Sequence, residues 1–219
     1  MSHSENNITV AIVGAGPAGL TCAKYLHGAG FKTALFDHKA PWEKPCGGIL
    51  TSQVFKQYLD KNNLRNTFFH DITWVSPRND RVVVNYKDGF MIVSRKDLSD
   101  YLIYCLNESG MGVISKRVRD VHHNGEFWII DTGETHQFAD IIVGADGVNS
   151  LVRKATVGEF RREDLAISVG YYIEPTENPI CITITLDIIG FAWILSASDH
   201  ASAGVMAQWG TITPKDLYS

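Results

Sequence analysis

Residues 8–19, Ile-Thr-Val-Ala-Ile-Val-Gly-Ala-Gly-Pro-Ala-Gly, leave this chain few ways to fold. Ile8, Val10, Ile12 and Val13 make an apolar, β-branched run that reads as a strand buried in a parallel sheet. Gly14, Gly16 and Gly19 follow at the spacing of a dinucleotide-binding turn. Gly14 permits the tight exit from the strand, Gly16 lets backbone approach a pyrophosphate, and Gly19 lets the next helix lie close to the sheet. Pro17 suits the first helical turn, where its missing N–H leaves no bond unmade. The N–H groups beyond it, those of Ala18 and Gly19 among them, face the phosphates together with the helix dipole.

The helix is expected to run to about His27 and to stop at Gly28-Ala29-Gly30, and a second strand over 33–36 ends in Asp37. The Asp37 carboxylate falls where a ribose 2′-hydroxyl needs an acceptor, and it would repel a 2′-phosphate. A strand-end Asp is also a common turn or capping residue, and both roles stay open. A glycine-rich turn alone can simply join a strand to a helix. The strand before it, the helix after it and the acid closing the next strand make this one a dinucleotide site.

Next comes a loop, 38–48, punctuated by Pro41, Pro45 and the pair Gly47-Gly48 and longer than a connector requires. A helix is expected over about 51–61, then strands over 72–75 and 81–86 joined through Pro77-Arg78-Asn79-Asp80. Lys87-Asp88-Gly89 is expected to turn the chain into a further strand over 90–93, so this region is antiparallel. Ser94 and Asp97 form a box-like start to a helix that gathers Leu98, Leu102, Cys105 and Leu106 on one face and ends at Gly110. Residues 113–121 and 127–130 read as a hairpin around Asn124-Gly125, with His122 and His123 as solvated neighbours of the turn. Residues 140–145 read as another buried parallel strand, and Asp146-Gly147-Val148-Asn149-Ser150 turns it into a helix carrying Arg153. Two strand-to-helix turns imply one sheet, and Asp146-Gly147 stands where open α/β sheets place ligands. From about Asp164 the pattern changes to short strands over 166–173, 180–186, 191–195 and 203–208. The expected architecture is α/β: a Rossmann-like domain with a parallel sheet over 1–70 and 94–160, and an antiparallel β-sheet substrate domain, incomplete, over 71–93 and 161–219.

Of the 219 residues 45% are hydrophobic, enough for a real core. A formal net charge of -4 with the signs scattered leaves no nucleic-acid stripe and no polybasic membrane patch; Arg161-Arg162 is followed at once by Glu163-Asp164. A polar start and the lack of a long apolar run argue against a secretory signal or a membrane span, so a cytoplasmic protein is expected. Cys22, Cys46, Cys105 and Cys181 are isolated from one another, which argues against structural zinc and a disulfide framework; no metal is expected.

Three motifs taken together, Gly14-Ala-Gly-Pro-Ala-Gly19, Lys44-Pro45-Cys46-Gly47-Gly48 and Gly144-Ala-Asp-Gly-Val-Asn-Ser150 with Arg153, resemble the flavin-dependent oxidoreductases of the p-hydroxybenzoate hydroxylase fold. Within that fold the chain looks most like the geranylgeranyl reductase family, a match narrowed by Pro45-Cys46-Gly47-Gly48. The resemblance implies FAD, with Gly14, Gly16 and Gly19 at the pyrophosphate and Asp37 in the place of a ribose-binding acid that is more usually Glu. It implies that Arg95 contacts the cofactor and that Asp146 and Gly147 form the second flavin motif. It also implies that Cys46, Gly47 and Gly48 lie near the isoalloxazine with the cysteine facing substrate. Free Cys is equally a small buried hydrophobe, so a proton-transfer role for Cys46 stays open. Gly190-Phe-Ala-Trp193-Ile-Leu-Ser196 resembles the family's Gly-aromatic-x-Trp strand, which usually ends in Pro where Ser196 stands; Trp193 could line a substrate cavity or fill the core between sheets.

The family closes its flavin site with a late Gly-Asp motif, and this sequence contains no Gly-Asp dipeptide. Thr213-Pro214-Lys215-Asp216 announces a helix with only three residues after it, so the N-terminal portion of a longer flavoprotein is expected. The activity implied is reduction of C=C bonds in a lipophilic, isoprenoid substrate. NAD(P)H or a protein donor would dock transiently, in a monomer or weak oligomer whose full length could touch a membrane peripherally. A flavin monooxygenase or halogenase acting on an aromatic substrate would share the fold and first motifs but carry a different loop after the second strand. A non-catalytic fragment that needs a missing segment to hold flavin is the third reading.

Overall fold

The apolar run beginning the glycine-rich segment forms β1 (Thr9–Val13), and Val10, Ala11, Ile12 and Val13 are all buried, as a central parallel strand requires. The computed structural model describes residues 9–44, 46–59, 64, 66–175, 180–185, 190–196 and 200–210, with the backbone alone described for 180–185. It divides into two units, Met1–Trp42 with Ser99–Glu159 and Glu43–Leu98 with Phe160–Ser219.

In the first unit the chain leaves β1 through the glycines into α1 (Pro17–Gly28) and returns as β2 (Lys32–Phe36), parallel to β1 and paired Thr9↔Lys32 through Val13↔Phe36. Two further parallel strands complete this sheet in the order β10-β1-β2-β6: β6 (Val113–Ile114) beside β2, and β10 (Ile141–Gly144) beside β1. The two strand-to-helix turns therefore share one sheet, as expected, and α4 (Leu151–Thr156) follows β10. Phe36 and Val13 pack with Val121, Ile130, Ala139 and Val152 as the unit's core.

The hairpin around Asn124-Gly125 forms between β7 (Asp120–His123) and β8 (Trp128–Asp131), with Gly125 at φ 102°. Two features differ from expectation. The run 113–121 is not one strand, because Val113 and Ile114 pair with Leu35 and Phe36 while the chain after them joins a different sheet. A strand not expected from sequence, β9 (His136–Ala139), extends the hairpin into a three-stranded antiparallel sheet; only Ala139 of its four residues is buried, so the apolar alternation that marks a strand is weak.

The second unit is built on a seven-stranded sheet in the order β11-β14-β13-β12-β4-β5-β3. Its strands are β3 (Ile49–Thr51), β4 (Thr67–Val75), β5 (Arg81–Ile92), β11 (Ala166–Ile173), β12 (Ile180–Thr185), β13 (Gly190–Ser196) and β14 (Ala201–Gln208). All pairings are antiparallel except β12 with β4. The expected late strands are present; the tail of the second, Leu186, and the helix start at Thr213 lie outside the described residues. The helix expected over 51–61 is α2 (Ser52–Tyr58), with Asp60 and Lys61 likewise outside. Ser94 caps α3 (Arg95–Glu108) by accepting the Asp97 N–H at 2.9 Å, and Leu98, Leu102 and Leu106 are buried along it.

Two boundaries are corrected. Residues 43–70 and 94–98 belong with the second unit rather than the first; β3 pairs with β5 there, Ile49↔Ile92 through Thr51↔Phe90. Lys87-Asp88-Gly89 does not reverse the chain: β5 runs straight through it, and the register jumps from Phe69↔Phe90 to Asp71↔Asn85. Gly89, at φ 66°, lets the extra residues bulge instead of turning. A Cβ at Gly89 would crowd the Phe68 ring and Phe69 O, so Gly89→Ala is expected to cost about 1–3 kcal/mol by urea denaturation. Asp88→Ala, which removes only the exposed ion pair with Lys56 at 3.2 Å, should cost less than about 1 kcal/mol.

Candidate functional site

The glycine-rich turn has three different local geometries. Gly14 is at φ 99°, and a Cβ there would overlap Ala145 O at the end of β10. A Cβ on Gly19 would overlap Gly14 O, so α1 can approach the turn only without one. Gly16, by contrast, has nothing within 4 Å of its Cβ position. It is the N-cap of α1, Pro17 opens the helix, and no side chain caps the first turn, which leaves the N–H groups of Ala18 and Gly19 to a ligand.

Beside this turn lies a cavity of about 550 Å³ whose walls include Gly14, Asp37, Lys39, Trp42, Asp146 and Asn149. Asp37 is engaged as a cap: Oδ2 accepts the Ala15 N–H at 2.8 Å, and Oδ1 accepts those of Lys39 at 2.7 Å and Ala40 at 3.2 Å. A carboxylate has about four lone-pair sites, so three backbone donors leave one for a further partner. Asp146 Oδ2 accepts the Leu151 N–H at 2.7 Å, while Asp146 Oδ1 is buried and has no hydrogen-bond partner among the described residues. Gly147 is at φ 79° with open space at its Cβ position. The segment Lys116-Arg117-Val118-Arg119 also lines the cavity and makes its rim cationic. Neither Trp42 nor this segment was singled out from sequence; the Lys-Arg-x-Arg run between β6 and β7 was the available signal.

In the second unit the residues that follow Cys46 in its loop are tied to neighbouring strands. Gly48, at φ 65°, accepts the Val93 N–H on its carbonyl at 3.1 Å, and a Cβ on Gly47 would overlap the Leu195 side chain. Trp193 lies two residues from Leu195 on the same face of β13 and packs against the Ile72, Ile92 and Leu195 cluster. Its indole N–H meets Ser202 Oγ at 3.2 Å, and its ring covers Gly204, where a Cβ would collide with it. Trp193 is thus half-buried, with part of its indole packed into the sheet. Cys46 is partly buried. Arg95 opens α3.

Glu43 and Tyr172, which sequence reading passed over, meet beside this loop with Tyr172 Oη 2.8 Å from Glu43 Oε1. Burial, the hydrogen bond to Glu43 and the charges of Glu43 and Cys46 all push the Tyr172 phenol above its ordinary range, against the opposing charge of Arg95. The Cys22 thiol is also pushed up, by burial. Among the described residues no cluster of His, Cys, Asp and Glu could hold a metal ion, and no helix is long and apolar enough to cross a membrane.

A family model described as pyridine nucleotide-disulphide oxidoreductase matches residues 8–145, which contain the whole glycine-rich turn, Asp37 and the second parallel strand-to-turn junction. The chain belongs to the pyridine nucleotide-disulphide oxidoreductase family. It is similar to the geranylgeranyl diphosphate reductase of Rhodobacter capsulatus, with 31% identity over 94% of this chain and 56% of the relative. It is also similar to the geranylgeranyl diphosphate reductase of Synechocystis sp., with 26% identity over 90% of this chain and 54% of the relative. The chain spans about half the length of these curated relatives. Among solved structures it resembles pqsL of Pseudomonas aeruginosa, described as a probable FAD-dependent monooxygenase, at a TM-score of 0.73 and 16% identity over 91% of this chain and 60% of that one. That likeness establishes the fold: a parallel Rossmann-like sheet with antiparallel sheets.

The residues present fit a dinucleotide of the kind this family's turn holds. Gly16 keeps a space that any Cβ would fill, the first turn of α1 is uncapped, and Asp146 Oδ1 is buried without a partner among the described residues. Gly16 and Gly19 should therefore separate experimentally. Gly16→Ala is expected to cost less than about 1 kcal/mol of stability yet weaken FAD binding by more than about tenfold, read by flavin fluorescence. Gly19→Ala should instead lower stability by about 1–3 kcal/mol through its overlap with Gly14 O.

Proposed function

We propose that the protein is an FAD-dependent reductase of C=C bonds in an isoprenoid substrate of the geranylgeranyl type. The cofactor is FAD. Its pyrophosphate is assigned to Gly14, Gly16, Ala18 and Gly19 with Pro17 shaping the turn, its ribose to Asp37, and further contacts to Arg95, Asp146 and Gly147. When bound and reduced, FAD supplies a hydride. The observation that carries the reading is the Cys46-Gly47-Gly48 loop, pressed against Leu195 and tied to Val93, in a chain whose relatives include geranylgeranyl diphosphate reductases matched over nine-tenths of its length or more.

In this reading the two glycines leave a smooth backbone surface for a flat ring, and Cys46 presents a small, polarisable group to the substrate. Trp193 offers an apolar wall to a lipophilic chain. The electron donor is NAD(P)H or a protein that docks transiently, and the protein works in the cytoplasm as a monomer or weak oligomer, with peripheral contact to the membrane that holds its substrate. A second reading, a flavin monooxygenase or halogenase acting on an aromatic substrate, is supported by the fold shared with pqsL.

Two experiments test the proposal. Asp37→Ala removes the charge-assisted hydrogen bond assigned to the ribose together with the carboxylate's three backbone bonds, one of them to Ala15 in the turn, and is expected to raise the dissociation constant for FAD at least about ten- to hundredfold; an unchanged affinity would remove Asp37 from the cofactor site. With the FAD-loaded protein reduced anaerobically, geranylgeranyl diphosphate should reoxidise the flavin without oxygen. Flavin that stays reduced with every prenyl compound, but turns over with an aromatic acid and oxygen, would replace the reductase by a monooxygenase.

A further inference from the structure

The Cys46 loop is bracketed by two sets of contacts from separate elements of the second unit. On its far side Gly48 O takes the Val93 N–H at 3.1 Å and Gly47 abuts Leu195. On its near side the ties converge on one phenol. Tyr172 Oη lies 2.8 Å from Glu43 Oε1 and 2.9 Å from Lys44 O, so a single hydroxyl hydrogen serves the loop's carboxylate and its backbone carbonyl. Glu43 Oε1 also accepts the Lys44 N–H at 2.9 Å, and Oε2 accepts the Lys96 N–H at 3.2 Å in the first turn of α3. The His200 ring stands edge-on to Tyr172, with centroids 4.9 Å apart at 86°, and restricts the phenol's rotation.

We propose that Tyr172 and Glu43 form a clamp that fixes Lys44 on the second unit and so limits the movement of the nearby Cys46 thiol, which makes Tyr172 a positioning residue for the substrate side of the site. The clamp works by geometry. Tyr172 is anchored in β11, paired Tyr172↔Ser202 with β14, whereas Glu43 and Lys44 sit in irregular backbone. The phenol remains a donor because partial desolvation, the hydrogen bond to Glu43 and the Glu43 charge disfavour its ionised form, although the residue is 37% exposed. An ionised Tyr172 would face Glu43 with like charge and open the clamp. The part played by the loop in catalysis rests on the proposed function; the clamp does not.

Cysteine reactivity tests this on the full chain without flavin or substrate. The protein is exposed to iodoacetamide under native conditions, and alkylation at Cys22, Cys46 and Cys105 is followed by peptide mass spectrometry. Loss of one hydrogen-bonding group should let the loop open locally, so Tyr172→Phe is expected to raise the rate at Cys46 about three- to tenfold while Cys22 and Cys105 keep their rates. Glu43→Gln retains an acceptor oxygen and should stay within about twofold of the parent, whereas Glu43→Ala should match Tyr172→Phe. An unchanged Cys46 rate in Tyr172→Phe, or a parallel rise at all three cysteines, would overturn the clamp. Should Tyr172→Phe fail to fold, the contrast between Glu43→Gln and Glu43→Ala decides, and equal Cys46 rates in that pair would overturn it. A protein that fails to reduce isoprenoids but shows this pattern would keep the clamp and lose the reductase reading.

Discussion

The first unit depends on a close approach that only glycine allows. Gly14 bends the chain out of β1 so tightly that its carbonyl fills the space a Cβ on Gly19 would occupy, while its own Cβ position is taken by Ala145 O. One turn therefore sets three elements against one another: β1, α1 and the end of β10. Backbone bonds confirm the arrangement, with Gly14 N–H reaching Phe36 O at 2.8 Å and Ala145 N–H reaching Val13 O at 2.8 Å. The space left open at Gly16 follows from the same constraint, since a helix drawn against the turn by Gly19 and Gly14 presents its uncapped end at Gly16.

This part of the structure was legible in the sequence because each of its requirements has a residue-level signature. Buried parallel strands need unbroken apolar runs, close approaches need glycine, and a helix start facing a ligand tolerates proline and no capping side chain. The antiparallel unit was less legible. Lys87-Asp88-Gly89 has the composition of a turn, and a left-handed glycine serves a bulge as well as a turn. What decides between them is whether the strands on either side find partners, and β4 supplies a partner along both halves of β5. β9 escaped notice for the opposite reason: three of its four residues are exposed, and it is held by backbone pairing with β8 rather than by a buried face.

The candidate site divides in the same way. Gly14 and Gly147 stand out because a left-handed backbone selects glycine, and Gly19 because Gly14 O leaves no room for a Cβ, whereas Gly16, Pro17 and Asp146 are marked only by their spacing within the two turns. Asp37 was correctly placed at a strand end, but its three backbone hydrogen bonds were invisible, since any short acceptor reads the same there. Trp42 and the Lys116 to Arg119 segment had no pattern tying them to the turn. Glu43 and Tyr172 are separated by more than a hundred residues, and only the fold of the second unit makes them neighbours.

The glycine-rich turn occurs in a chain with both reductase relatives and a monooxygenase-like fold, so it carries no information about substrate. Discrimination has to come from elements outside it, and under the proposed function that element is the Cys46 loop. Gly48 is obligatory, since it combines a left-handed backbone with contact against Val93 O, whereas a side chain at Gly47 would meet only the flexible end of Leu195. Replacing Gly48 would therefore move the loop backbone beside the thiol. Cys46 is under no comparable constraint, being partly buried and flanked by the residues that do the anchoring. A loop whose anchors are dictated by packing and whose central residue is not can change the group it presents without changing its path. That separation allows one scaffold to keep its dinucleotide turn while the chemistry facing the substrate varies.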